Sequence, residues 1–165
     1  MNGRLLVAGI GNIFFGDDAF GSEVARQMLA QQWPGHVRIA DFGIRSMDLM
    51  FALLDGYDTV ILVDASRRGG APGTLYLIEP ELGEAGPIAV EAHSMDAGRV
   101  LSAARSMGAT WNRLLVVGCE PSLHTADPDG PGSMGLSGPV AGSIDDALEM
   151  IRRIVCESTL ARSAK

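Results

Sequence analysis

Residues 4–21 read RLLVAGIGNIFFGDDAFG. The apolar run from Leu5 to Ile10 leads directly into a glycine-rich turn, as a buried first strand does when a helix follows it. Such turns commonly bind phosphate, but this one carries Asp17 and Asp18, which would repel an anion. Phe14 also occupies the position of the third glycine in the dinucleotide fingerprint, so we exclude NAD binding. The stretch therefore predicts an α/β protein whose first turn does not bind a phosphate.

Further apolar runs along the chain predict the rest of a sheet. They do not alternate polar with apolar residues, which is typical of strands buried on both faces in a mostly parallel sheet. Because helical patterns separate them, we predict a three-layer α/β/α sandwich with a five-stranded, mostly parallel, twisted sheet. The predicted strands are Leu5 to Ile10, Val37 to Ala40, Thr59 to Val63, Thr74 to Ile78 and Leu114 to Val117.

Cap and stop residues delimit the predicted helices. One begins at Ser46 and stops at Gly56, and another runs from Ser94 to Gly108. A last helix begins at Ser137, a predicted N-cap, and keeps an apolar face as far as Val155. We therefore expect a single domain over residues 1–157, a long loop over 120–135 and a frayed tail over 158–165.

Composition excludes several classes of protein. The 165 residues carry a net charge of -7, which disfavours nucleic acid and anionic membrane surfaces as partners. No signal peptide begins the sequence, and no apolar run approaches the ~20 residues that span a bilayer. Cys119 and Cys156 form no paired motif, so we expect two buried thiols in a reducing compartment. We predict a soluble, cytoplasmic protein.

Acidic side chains follow the strands at one predicted edge of the sheet. Ligands of open α/β sheets bind at the carboxyl ends of the strands, and the turns there hold Asp17, Asp18, Asp41, Asp64 and Glu120. Like charges so close together need a cation, which arginine or a metal ion could supply. Arg45, Arg67 and Arg68 are near in sequence, and His93 precedes a predicted helix. Two carboxylates and an imidazole would suit a divalent ion with open positions, although each residue could also be a helix cap or a solvated side chain.

Several of these stretches resemble the hydrogenase maturation proteases, which remove a C-terminal extension from the large subunit of nickel-iron hydrogenases. GIGNIFFGDDAFG (residues 9–21) is similar to the family's first motif, and TVILVDA (59–65) to its third strand. EAHSMD (91–96) resembles the segment that carries the family's histidine. The similarity extends over residues 4–155, but Ile44 replaces the threonine that usually follows the second strand.

The resemblance implies a metal-contacting trio formed by Asp18, Asp64 and His93. It also implies that the nickel arrives inside the substrate, the large-subunit precursor, rather than being held by the free enzyme. The ion could activate the scissile carbonyl or a water, or it could serve recognition alone, with Asp17 or Asp41 as the base. We expect contacts with the substrate from Gly11, Asn12, Gly43, Glu120 and His124.

Two other functions would use the same residues. The chain could be a non-cleaving, nickel-dependent chaperone of hydrogenase assembly, or a metal-dependent hydrolase of small molecules on the same scaffold. We favour the endopeptidase, acting as a monomer on the precursor, without nucleic acid or membrane partners.

Overall fold

The computed structural model describes residues 3–81, 96–123 and 134–163. The strands in these ranges form a five-stranded sheet in the order β2-β1-β3-β5-β4. All neighbours are parallel except β4, which runs antiparallel to β5. The sheet confirms the predicted fold class. The strands are β1 (Leu5–Ile10), β2 (Val37–Gly43), β3 (Thr59–Ala65), β4 (Leu75–Ile78) and β5 (Arg113–Cys119).

Helices cover both faces of the sheet. Alternate residues of β1 point to opposite sides: Leu6 and Ala8 join the core beneath α2 and α3, and Leu5 and Val7 join the core beneath α1 and α5. This two-sided burial explains why the strands read as continuous apolar runs. The helices are α1 (Phe20–Leu29), α2 (Ser46–Leu53), α3 (Ala97–Ser106), α4 (Gly138–Ala141) and α5 (Ile144–Ser163), and a short 3-10 helix spans Gly16–Ala19.

Two glycines let α1 lie unusually close to the sheet. A Cβ on Gly21 would lie 1.9 Å from the Val63 carbonyl oxygen and 2.2 Å from that of Ile10. A Cβ on Gly9 would lie 2.4 Å from the Gly21 carbonyl oxygen. The first turn of α1 is therefore seated on the ends of β1 and β3, which fixes the preceding turn relative to both strands.

The C-terminal region differs from the sequence prediction. The single helix predicted from Ser137 is divided, because α4 ends at Ala141 and α5 begins at Ile144. The Ser143 hydroxyl donates to the Val140 carbonyl between them. α5 extends to Ser163, past the point at which we predicted a frayed tail. The Thr159 hydroxyl donates to the Val155 carbonyl one turn earlier, as expected within a continuing helix.

Smaller differences concern caps and cysteines. Ser46 is the first residue of α2 rather than its cap, a position that Arg45 takes without a capping side-chain bond. Asp96 caps α3 by accepting from the Arg99 N–H, and the predicted start at Ser94 lies outside the described residues. Cys119 is buried as predicted, but Cys156 is exposed on α5, so the expectation of two buried thiols is wrong. No helix in the described ranges is long and apolar enough to cross a membrane.

Candidate active site

The turns after β1 and β2 meet at the carboxyl edge of the sheet. The Gly11 N–H donates to the Gly43 carbonyl at 3.1 Å. A Cβ on Gly11 would lie 2.1 Å from the Asp18 carbonyl oxygen, so only glycine fits where the chain passes the acidic turn. The Asn12 side-chain oxygen accepts from the Phe14 N–H at 3.0 Å, so this side chain stabilises its own turn. Contacts of Gly11, Asn12 and Gly43 with a substrate stay predictions.

Asp17 is fully buried and holds two distant segments of the chain. Its Oδ1 accepts from the Ser137 N–H at 2.7 Å, and its Oδ2 accepts from the Ser122 N–H at 2.8 Å. The Ser137 hydroxyl donates to Oδ2, also at 2.8 Å. Donors this numerous offset the cost of burying a carboxylate. These partners could not be predicted from local patterns, because they lie 105 and 120 residues away along the chain.

Asp18 and Asp64 reach the same edge from two different elements. Asp18 belongs to the 3-10 helix and is half-buried, whereas Asp64 lies near the end of β3 and is 2% exposed. The Asp64 Oδ1 accepts from the Ala65 N–H at 2.8 Å. The packing of Gly21 on Val63 holds the segment after Asp18 against β3, the strand that carries Asp64. The fold therefore places two of the three predicted metal contacts at the same edge of the sheet.

The third predicted contact, His93, lies outside the described residues, as does His124. Among residues 3–81, 96–123 and 134–163, no group of three or more histidine, cysteine, aspartate or glutamate side chains is arranged to hold a metal ion. Two carboxylates alone would leave several coordination positions of a divalent ion to be filled by other groups. The trio as a whole stays a prediction.

Asp41 lies at the end of β2, paired in register with Gly9 of β1. Its Oδ1 accepts from the Ser22 hydroxyl at 2.8 Å and from the Gly43 N–H at 3.0 Å. No donor within the described part of the chain reaches its Oδ2, and the residue is half-buried. The side chain is thus oriented by one oxygen while the other can accept a proton from a bound molecule. The geometry favours Asp41 over Asp17 as the candidate base.

Glu120 is nearly buried and fastens the loop between β3 and β4. Its carboxylate accepts from the Arg68 N–H at 2.7 Å, the Gly69 N–H at 3.3 Å and the Tyr76 hydroxyl at 2.8 Å. Burial raises the pKa of the Glu120 carboxyl, but these donors outweigh it and hold the pKa below its ordinary value. The predicted contact of Glu120 with a substrate is not tested by these bonds.

Two of the arginines expected near the acidic edge, Arg45 and Arg68, make local contacts. The Arg45 guanidinium pairs with the Asp48 carboxylate at 2.9 Å and donates to the Asp41 backbone carbonyl at 2.5 Å. The Arg68 guanidinium lies over the Tyr76 ring, 5.8 Å from its centroid.

Cys119 is not suited to act as a nucleophile. It is fully buried, and its Sγ lies 3.3 Å from the Ser143 hydroxyl. Burial raises the pKa of the Cys119 thiol, and the negative charges of Asp17 and Glu120 raise it further, against the hydrogen bond with Ser143. A thiol that is buried and protonated is a poor nucleophile.

Exposed apolar side chains border this edge of the sheet. Phe14 is 58% exposed, Met47 63% and Met134 69%. Near them a groove of about 620 Å³ runs beside α1, with Asp41 and Ser22 in its wall. We call the exposed apolar side chains at this edge the apolar rim; its members are Ile13, Phe14, Phe15, Ile44, Met47, Leu123 and Met134. Exposed apolar side chains that surround polar groups are typical of a surface that binds another protein.

The chain is similar in sequence and fold to known proteins. The family model for hydrogenase maturation proteases matches residues 22–154. The hydrogenase expression/formation protein HupD of Rhizobium leguminosarum bv. viciae is 33% identical over an alignment covering 98% of this chain and 79% of the relative. The hydrogenase 2 maturation protease of Escherichia coli strain K12 is 31% identical, with 94% of this chain and 92% of the relative covered.

A solved structure has the same architecture. The hydrogenase maturating endopeptidase HybD from E. coli matches with a TM-score of 0.75 at 30% identity, over 94% of this chain and 93% of that one. Fold and similarity together define an α/β endopeptidase. The chain belongs to the hydrogenase maturation protease family.

Proposed function

We propose that this endopeptidase removes the C-terminal extension of a nickel-iron hydrogenase large subunit after nickel has been inserted, and that it recognises the bound nickel. The observation that carries the proposal is the convergence of Asp18 and Asp64 at one edge of the sheet, beside the apolar rim. The carboxylates would contact a cation, and the rim would contact the protein around it. A small-molecule substrate would bind in an enclosed pocket and would not require so large an exposed apolar surface.

Nickel enters this proposal as part of the substrate. Asp18, Asp64 and His93 would supply only part of a coordination shell, and ligands from the large subunit would supply the rest. Cleavage would then depend on both proteins, so a precursor without nickel would not be processed. Asp41 is the residue best placed to accept a proton from the attacking water, because Ser22 and Gly43 orient it through Oδ1 alone.

The test is to incubate purified precursor, with and without nickel, with the enzyme and to weigh the products by mass spectrometry. We expect loss of a C-terminal peptide only from the nickel-loaded precursor. The variants Asp18→Asn, Asp64→Asn and His93→Ala should abolish this loss. Asp55→Asn should not, because Asp55 is an exposed carboxylate paired with Arg38 before β3, at the opposite edge of the sheet.

Each other outcome contradicts one part of the proposal. Equal cleavage of nickel-free precursor would contradict recognition of the metal, and normal processing by the His93 variant would contradict the trio. Intact precursor in a stable complex would indicate a chaperone rather than a protease. We also propose that the enzyme acts as a monomer, for which light scattering should give about 17.4 kDa.

A further inference from the structure

The buried carboxylate of Asp17 joins three parts of the chain at the edge of the sheet. One is the 3-10 helix that also carries Asp18. Another is Ser122, three residues after the end of β5, and the third is Ser137, immediately before α4. Contacts among residues so distant in sequence restrict how these segments can move relative to one another.

The chemistry of these contacts makes them strong. Both carboxylate oxygens are used, and the three donor distances lie between 2.7 and 2.8 Å. Such distances lie within the range of well-formed hydrogen bonds, and breaking a buried bond leaves its donor unsatisfied, which destabilises the local structure. Two of the donors are backbone N–H groups, so the carboxylate holds the main chain itself rather than a flexible side chain.

The position of Asp18 depends on the same turn. On one side, the Asp18 carbonyl oxygen lies where a side chain on Gly11 would be, so the turn rests on the end of β1. On the other side, Asp17 fastens it to Ser122 and Ser137. If the Asp17 bonds were lost, the turn would keep its contacts with β1 and with α1 but would lose those with Ser122 and Ser137, and the Asp18 carboxylate could then shift relative to Asp64. A displacement of about 1 Å at a reacting centre can lower a rate by up to about a hundredfold.

We propose that Asp17 is a positioning residue for peptide cleavage: its carboxylate fixes the turn that carries Asp18 against the segments at Ser122 and Ser137. The inference rests on the proposed function, in which Asp18 contacts the nickel of the precursor. Asp17 itself touches neither substrate nor metal, because it is fully buried and both of its oxygens are engaged within the protein.

The experiment compares Asp17→Asn and Ser137→Ala with the wild-type enzyme at a temperature where circular dichroism shows each to be fully folded. Asparagine keeps the shape of the side chain but loses the charge, and its NH2 group would face donors. We expect Asp17→Asn to lower kcat/KM for nickel-loaded precursor by about tenfold or more, since the turn is misplaced. Ser137→Ala removes one of the three bonds and should lower it by about threefold, the rate equivalent of a hydrogen bond worth under 1 kcal/mol.

A double-mutant cycle and amide exchange separate positioning from stability. Adding Ser137→Ala to the Asp17→Asn variant should lower kcat/KM much less than adding it to wild type does, because the two groups act through one contact. The amides of Ser122 and Ser137 should exchange faster with D2O in Asp17→Asn, while those of β3 do not change. Ile151→Ala, which opens a cavity in the core under α5, serves as the control: it should lower Tm and leave kcat/KM unchanged at full folding.

The outcomes are distinguishable. If wild type does not cleave the precursor, the proposed function fails, and this inference fails with it. If wild type cleaves and the folded Asp17→Asn variant has wild-type kcat/KM, only the inference is overturned. Should Asp17→Asn not fold, Ser137→Ala decides: an unchanged kcat/KM overturns the inference, and a reduced one supports it.

Discussion

At the scale of single residues, the acidic side chains at the carboxyl edge of the sheet differ in burial and in their hydrogen-bond partners. Asp17 and Glu120 are buried and accept backbone N–H groups from neighbouring loops. Asp41 is half-buried and is held through one oxygen only. The sequence places all three after predicted strands without distinguishing them, because a carboxylate that fastens a loop and one that does chemistry are the same residue type.

Glu120 allows a prediction about stability and pH. Its pKa is lowered in the folded protein from the ordinary value of 4.5, so its contribution to stability is present above about pH 4.5 and is lost as the pH falls through the folded pKa. Glu120→Gln removes the charge and should lower the free energy of unfolding at pH 7 by about 1–3 kcal/mol. The difference from wild type should shrink below pH 4.5.

Urea unfolding of both proteins between pH 7 and pH 3 would measure this difference. Glu149→Gln, which changes an exposed carboxylate paired with Arg153 on α5, should unfold within about 0.5 kcal/mol of wild type at pH 7. A gap between wild type and Glu120→Gln that stays constant down to pH 3 would show that the charge of Glu120 is not what stabilises the loop.

At the scale of elements, the close packing of α1 on the sheet is the contact that positions the site. Gly21 lets the helix begin directly against the carbonyl groups of Ile10 and Val63, next to Asp64. The glycine-rich motif thus serves close packing as well as turning. The apolar periodicity of α1 predicts a helix, but it does not indicate how near that helix lies to the strands.

Gly21→Ala should therefore destabilise the protein. The added Cβ would overlap two carbonyl oxygens of the sheet, and backbone cannot move aside as a flexible side chain can. We expect a loss of about 1–3 kcal/mol or more in the free energy of unfolding, measured by thermal or urea unfolding. Gly35→Ala is the matched control, because nothing lies within 4 Å of its added Cβ, and it should stay within about 1 kcal/mol of wild type. Equal stability of the two variants would contradict the close seat of α1.

At the scale of the whole molecule, the two ends of the sheet differ in what they expose. The carboxyl edge has the acidic turns and the apolar rim, which includes Phe14. At the other edge the end of α5 lies beside the start of β2, where the Thr159 hydroxyl is 3.3 Å from the His36 Nε2. A partner that reached Asp18 and Asp64 would have to cover the first of these edges.

Phe14→Ser should weaken binding of the precursor. The ring is 58% exposed, so its loss should change the free energy of unfolding by less than about 0.5 kcal/mol. We expect KM for nickel-loaded precursor to rise about fivefold or more with kcat unchanged, as for an apolar contact at the centre of an interface. Leu160→Ser, at a residue 71% exposed near the end of α5, is the control and should not change KM. An unchanged KM in the Phe14 variant would exclude the rim around Phe14 from the docking surface.

Much of this protein could be predicted from local patterns. The strands and most helices follow from runs and periodicities a few residues long, and the carboxyl edge follows from the rule for parallel sheets. The motifs at residues 9–21, 59–65 and 91–96 together indicated the family that the comparisons established. These features depend on neighbouring residues, whose spacing the chain itself sets.

Only the tertiary structure decided which acidic residue does what. Asp17 and Asp18 are adjacent in sequence, yet one is buried beneath Ser122 and Ser137 and the other is half-buried on the same turn. Neither the contacts of Glu120 with its loop nor the division of the last helix could be predicted from the sequence. Each depends on groups brought together from distant parts of the chain, and their relative placement is settled by the packing of helices on the sheet rather than by any local pattern.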